Sequence, residues 1–433
     1  MDYKAYIESL RKNLEENILP YWMDRMVDEE RGGFYGRRDG NDELDGDAPK
    51  GAILNARILW TFSAAYLATG KPEYLAMAGR AYDYITAHFL DGSFGGAYWS
   101  LNADGSPLDT KKQFYAIAFI IYGLSEYYRA SKNEDALIFA LELFDSIEEH
   151  SRDRLKNGYI EATTRDWQPI ADMRLSDHDA NASKTMNTHL HILEGYTNLL
   201  RALKEKQVEE DSGYKGSLLD PDALDSVDFG LQGAISRVGE ATSNLLRIFL
   251  DKIENPRTHH LTLFFDDDWN ALPGAESYGH DIEASWLLLE SAYIVGDEAL
   301  IKETLDHTLH IAYAGLQGRC TDGSMVYERH PDGRYDNDKH WWVQAENVIG
   351  QLWLAEHHGL SGQEEKAMES WRYIINNLVD PAGEWYWSRK SPDGAINRTD
   401  DKAGFWKCPY HNSRMCIEAI RSLESLRLRE KNC

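Results

Sequence analysis

A short glycine-and-aromatic segment returns along this chain about every 60 residues, each time after a pair of stretches with helical periodicity. The segments are GGFYG at 32–36, FGGAYWS at 94–100, NGYIEA at 157–162, DGSMVYE at 322–328 and GEWYWS at 383–388. Each reads as a turn followed by a brief extended stretch. The helical stretches fall near 2–18, 51–69, 73–89, 111–130, 133–150, 182–204, 234–254, 280–295, 297–314, 341–358, 363–379 and 410–429. A helix–helix–turn unit repeated at this period implies a closed or stacked array. Six pairs fit an all-α fold, an (α/α)6 barrel, with inner helices framing a central pocket and the glycine-aromatic loops rimming one end. A superhelical solenoid is the alternative, but the Trp- and His-rich set described below needs one shared centre.

The spacing has one long gap, caused by residues 205–233, EKQVEEDSGYKGSLLDPDALDSVDFGLQG. This stretch is acidic, aperiodic and flanked by good helices, so a surface insertion between the two members of a pair is expected. Length alone suggests two or three domains, but a barrel of repeated hairpins accommodates residues 1–433 as one. With 42% hydrophobic and 27% charged residues, a large core is possible. The formal net charge of −26 repels phosphate backbones and anionic lipid, so nucleic-acid and membrane partners are excluded, and a strongly anionic substrate is disfavoured. The first 20 residues form a charged amphipathic helix without the apolar region of a signal peptide, and no later run is long enough to span a bilayer. Cys320, Cys408, Cys416 and Cys433 lack metal-ligand spacing and read as reduced thiols of a cytoplasmic protein. A monomer is expected rather than an obligate oligomer.

Chemistry concentrates at the starts of inner-type helices. MNTHLHILEGY places Asn187, His189 and His191 there. SYGHDIEASWLLLE places His280 after a glycine, with Glu283 and Trp286 on neighbouring turns. FWKCPYHNSRMCIEAI places His411 shortly after Pro409. A helix N-terminus lowers an imidazole pKa and favours a neutral base. Singly, each histidine also fits a helix cap or a hydrogen-bonded core residue. Together, His191, His280 and His411 fall on alternate helices, the inner ones of a barrel. Arg57 in NARILW, Tyr115 in KKQFYAIAF, Trp342 and Glu346 in WWVQAEN, and Trp406 share that register. An arginine on an apolar helix face is costly unless paired or functional, and Glu283 or Glu346 would be its salt-bridge partner. Aromatics make up 12% of the chain, and flat rings suit stacking on the apolar faces of sugars. No phosphate-binding glycine loop, dinucleotide fingerprint or zinc motif is present, and FFDDDWN at 264–270 lacks the alternating ligands of a calcium loop.

These segments, with EWYWSRKSPDG, run in order along essentially the whole chain, and they resemble the N-acylglucosamine 2-epimerase superfamily, within it the cellobiose 2-epimerases. SYGHDIEASWLL and WKCPYHN are the specific ones. The resemblance implies an (α/α)6 barrel, no cofactor, no metal, and reversible epimerisation at carbon 2 of the reducing-end sugar in β-1,4-linked disaccharides such as cellobiose, with lactose and mannobiose as further candidates. Carried over, His280 and His411 are the acid/base pair. Arg57 holds the carbonyl or enediolate oxygen, and His191 is the third histidine near the same oxygens. Tyr115, Asn187, Glu283, Trp286, Trp342, Glu346 and Trp406 match substrate-contacting positions. The 205–233 insertion departs from the family pattern.

That chemistry needs these residue types. Once the sugar ring opens, the hydrogen alpha to the aldehyde leaves as a proton and returns to the opposite face. Imidazole titrates near neutrality and serves both directions. Negative charge grows on oxygen in the enediolate, where a fixed cation binds it more tightly than the neutral substrate. Three rival functions follow from the same residues: an N-acetylglucosamine 2-epimerase or monosaccharide isomerase, a glycoside hydrolase using Glu283 and Glu346, and a non-catalytic sugar-binding protein.

Overall fold

Helices that are apolar nearly all round have to be enclosed by other helices. The computed structural model describes residues 1–177, 179–212 and 230–432. It opens with α1 (Tyr3–Asn13), a π-helical turn and α2 (Leu19–Arg25). Five helix pairs follow: α3 (Ala52–Thr69) with α4 (Pro72–Tyr84), α5 (Phe114–Ser131) with α6 (Glu134–His150), α7 (Met186–Asp211) with α8 (Leu231–Ile248), α9 (Tyr278–Val295) with α10 (Glu298–Gly315), and α11 (Trp341–His357) with α12 (Gln363–Asn377). The last helix is α13 (Tyr410–Asn432).

The odd-numbered helices from α3 to α13 each pack on the next, and α13 returns to α3, so six inner helices close a ring. The second member of each pair backs its partner from outside, and α1 backs α13. This is the (α/α)6 barrel implied by the repeat. Close approach inside the ring depends on glycine. A Cβ on Gly123 of α5 would lie 2.7 Å from the Ala56 carbonyl oxygen of α3, and one on Gly195 of α7 would lie 2.7 Å from the Ala118 carbonyl oxygen of α5.

The two residues before each of five inner helices form a tiny antiparallel ribbon with the chain that leaves the next outer helix. The registers are Gly51 with Ser100, Gln113 with Ala162, Thr185 with Phe264, Ser277 with Glu328 and His340 with Ser388. A bridge between Arg38 and Ala403 joins the last unit to the first. Glycine-aromatic segments supply four of the outgoing halves and Phe264–Phe265 the fifth, so the ribbons encircle the N-terminal ends of the inner helices. Lysines in the incoming halves anchor the ribbons from below: Lys50 to Asp28, Lys112 to Asp91 and Lys184 to Asp153, each at 2.8 Å. In the fifth unit Lys339 meets the Cys320 sulfur at 3.4 Å instead.

Two expectations need correction. Two inner helices start later than their periodicity suggests, at Phe114 rather than 111 and at Met186 rather than 182, because a ribbon occupies the lead-in. Residues 205–211, assigned to the insertion, continue α7. Their charges looked aperiodic because they point outward to partners on the neighbouring pair: Glu205 binds Arg129, Lys206 binds Glu134 and Glu209 binds Lys132. At its other end Leu231–Gly233 already belong to α8, and residues 213–229 lie outside the described residues. Among the described residues Cys320, Cys408 and Cys416 are free thiols, and no helix is long and apolar enough to cross a membrane.

The ribbon anchors carry a testable cost. Burial alone would raise the Asp91 pKa, but Arg165 and Lys112 outweigh it and hold the carboxyl below the usual range. Replacing Asp91 by alanine leaves the fully buried Lys112 without a counter-charge, and should destabilise the fold by about 3–5 kcal/mol in urea at pH 7. Because a depressed carboxyl contributes stability only while ionised, the difference from wild type should narrow as the pH falls below about 4.

Candidate active site

The inner helices point their N-termini at the ribbon-bearing end, and the candidate residues sit in their first two turns: Arg57 on α3, Tyr115 on α5, Asn187 and His191 on α7, His280 and Glu283 on α9, Trp342 and Glu346 on α11, His411 on α13. Six positive helix ends around one cavity make a setting that favours negative charge. The cavity holds about 1220 Å³, at or above the usual upper range for small-molecule sites, and aromatic rings line much of it.

Each histidine is held through Nδ1. His411 meets Glu346 at 2.7 Å, His191 meets Glu194 at 2.8 Å, and His280 meets the Ser277 hydroxyl at 2.8 Å. A carboxylate only accepts, so His191 and His411 carry hydrogen on Nδ1 and present a bare Nε2. None of the three Nε2 atoms has a protein partner among the described residues. Burial keeps all three rings neutral. It pushes His280 down to about 3, helped by the nearby His191, and it lowers His191 and His411 as well.

Behind the histidines lies Arg414, 1% exposed. Its Nη2 donates to Glu283 at 2.8 Å and Glu346 at 2.7 Å, and its Nη1 donates to Glu194. The guanidinium also packs on the rings of Trp286 and Tyr410, 4.6 and 4.3 Å from their centroids. Burial opposes ionisation of Glu194, but Arg414 and His191 hold it down at about 2.

Arg57 is the opposite case. Its guanidinium is buried against Phe119 and Tyr410, donates to the Tyr115 hydroxyl at 3.0 Å and reaches the Cys408 sulfur at 3.8 Å. It meets no carboxylate, and its Nε has no partner among the described residues. The salt bridge from Arg57 to Glu283 or Glu346, the alternative to a functional arginine, is therefore not formed, because Arg414 has taken both acids.

Nine of the eleven residues singled out in the sequence line the cavity: Arg57, Tyr115, Asn187, His191, His280, Glu283, Trp342, Trp406 and His411. Trp286 and Glu346 lie behind its wall, joined by a 3.0 Å hydrogen bond. His189 faces the outer layer, with Nδ1 on the Thr185 carbonyl and Nε2 accepting from the Tyr159 amide. Asn187 turns a buried amide oxygen with no protein partner among the described residues. Sequence reasoning missed Glu194, Arg414, Ser277 and the cavity rings Trp99, Trp341 and Trp387. A signal for two of them exists: each inner histidine is followed three residues later by a charged group, Glu194, Glu283 or Arg414.

The atoms of Glu283, Glu346 and His411 lie within 4.8 Å of one another, close enough to share a metal ion, but the Arg414 guanidinium already bridges both acids as their cation. The same closeness weighs against a hydrolase. Two acids that meet on one nitrogen, one of them behind the wall, do not flank a glycosidic bond. Asp266, from the acidic FFDDDWN run, accepts from the Asp268 and Asn270 amides and so closes a turn.

A barrel of this form with a buried cation lacking a carboxylate beside neutral imidazoles defines a class, and the chain belongs to the N-acylglucosamine 2-epimerase (GlcNAc 2-epimerase) family. The family profile matches residues 33–194 and 237–413, which contain all eleven residues above. The protein is thus a carbohydrate epimerase, an isomerase. It is 52% identical to the cellobiose 2-epimerase of Bacteroides fragilis over 95% of this chain and 98% of that protein. The solved structure of cellobiose 2-epimerase from Spirochaeta thermophila matches with a TM-score of 0.86 and 37% identity, covering 98% of each chain. A GH76 α-mannanase from Bacteroides thetaiotaomicron shares the fold alone, with a TM-score of 0.60 and 11% identity over 99% of this chain and 98% of that one.

Replacing Arg414 by methionine would leave three buried carboxyls without their cation. The variant should lose about 3–5 kcal/mol of stability in chemical denaturation.

Proposed function

We propose that this chain reversibly inverts carbon 2 at the reducing end of a β-1,4-linked disaccharide, cellobiose first among them, through an enediolate formed after ring opening. The observation that carries the reading is Arg57, a buried cation left without a carboxylate in the same cavity as three neutral imidazoles. A resting protein gains nothing from such a charge. A negative oxygen arriving in the reaction does, and that selective gain lowers the barrier.

In this reading His280 and His411 exchange the proton across carbon 2. Glu346 behind His411 stabilises the imidazolium formed when that ring takes a proton, and Ser277 orients His280. Arg57 holds the enediolate oxygen and the bare Nε2 of His191 accepts from the neighbouring hydroxyl, with Tyr115 fixing the guanidinium. Tyr115, Asn187 and Glu283 contact the sugar hydroxyls, and Trp342 and Trp406 give stacking surfaces to two rings. The cavity volume supports a disaccharide over a monosaccharide, as does likeness to proteins named for cellobiose. The free thiols suit a cytoplasmic setting.

Cellobiose incubated with the protein in deuterium oxide should develop a mannose-type reducing end with deuterium at carbon 2 and an intact glycosidic bond, followed by proton NMR. His280→Asn and His411→Asn should each abolish deuterium entry, and near-normal turnover in either would sink the assignment. Arg57→Met should lower kcat about 100-fold, the effect of removing roughly 3 kcal/mol of oxyanion stabilisation, with a smaller change in KM.

A further inference from the structure

Glu283 stands apart from the other two carboxyls around Arg414. Glu194 is engaged through both oxygens, by His191 on one and by Tyr410 and Arg414 on the other. Glu346 receives His411 and Arg414 on Oε1 and Trp286 on Oε2. Glu283 receives Arg414 alone, on Oε1. Its Oε2 meets no protein donor among the described residues, and the residue lines the cavity. Glu283 and Glu346 share one guanidinium nitrogen, so the two acids are poorly placed to be ionised together. Three donors favour the negative charge on Glu346, so a proton shared by the pair falls to Glu283, on the oxygen that meets no protein donor among the described residues.

We infer that Glu283 is a catalytic acid for opening and closing the sugar ring, and that the site therefore speeds the interconversion of α and β anomers as an activity separable from inversion at carbon 2. The inference rests on the reading above only in taking a reducing sugar as the occupant. As the ring opens, the C1–O5 bond breaks and its electron pair goes to O5, which takes the proton from Glu283 Oε2. The O1 hydroxyl loses its proton to the bare Nε2 of His191, and the freed pair on O1 completes the C1 carbonyl. Closure returns both protons, so nothing is oxidised or consumed. Arg57 and the helix N-termini favour the polarised O1 throughout. The acidity of Glu283 agrees with the role: burial, then the neighbouring Glu346, pushes it up to about 8, in the range of a carboxyl kept protonated for proton donation.

The test uses full-length His280→Asn protein, in which proton exchange at carbon 2 is disabled. Exchange between the α and β anomeric protons of cellobiose is followed by magnetisation-exchange NMR against a buffer blank. His280→Asn should still accelerate anomer exchange, and adding Glu283→Gln should lower the catalysed rate about 100-fold, the typical weight of a general acid. A double variant as fast as His280→Asn overturns the role of Glu283. A His280→Asn protein no faster than buffer overturns the anomer-exchange activity, whether or not the double variant folds. Wild-type protein that speeds anomer exchange yet admits no deuterium at carbon 2 sinks the epimerase reading and leaves this inference standing.

Discussion

One guanidinium organises the interior. Arg414 reaches from α13 to carboxyls on α7, α9 and α11, so four of the six inner helices meet at a single buried charge. Buried ion pairs seldom add net stability, because desolvation consumes most of the Coulomb gain. Their value is specification. With the cation in place, Glu194 and Glu346 have one orientation each, and that orientation decides the tautomer and tilt of His191 and His411. The imidazoles inherit their geometry from a residue that never touches the cavity.

The ribbons complete this arrangement from the rim. Each joins the lead-in of one inner helix to the outgoing chain of the next unit, and the Arg38–Ala403 bridge completes the circuit. A strand of two residues has little stability of its own. Here the pairing is fixed by neighbours already packed and by lysines buried beneath it. Apart from Trp406, which precedes α13, the candidate side chains come from regular helices with defined starts, which places them more rigidly than loops would.

Much of this was legible in the sequence because the barrel repeats. Period, glycine turns and apolar helix faces specify six pairs without knowledge of any contact, and the inner position of His191, His280 and His411 follows from counting helices. The linkage among charged groups was not legible. Arg57 and Arg414 both sit on apolar helices, and which of them takes Glu283 and Glu346 depends on side-chain reach across the ring. The sequence left Arg57 open as a partner for these acids, and the structure gives them to Arg414. Likewise the acids of 205–211 looked like a solvated insertion, because their lysine and arginine partners lie more than 70 residues earlier in the chain.

The bareness of Arg57 has a consequence for how such a protein can change. A sequence selected for folding alone would give this guanidinium an acid or replace it with a hydrocarbon, and either change would relax the interior. In the proposed reading, the resting molecule is locally frustrated at a position where the reaction intermediate supplies what is missing. Substitutions that stabilise the barrel by satisfying Arg57 would do so by competing with that intermediate. The room for gain without that conflict lies elsewhere, on the outer helices and their connections.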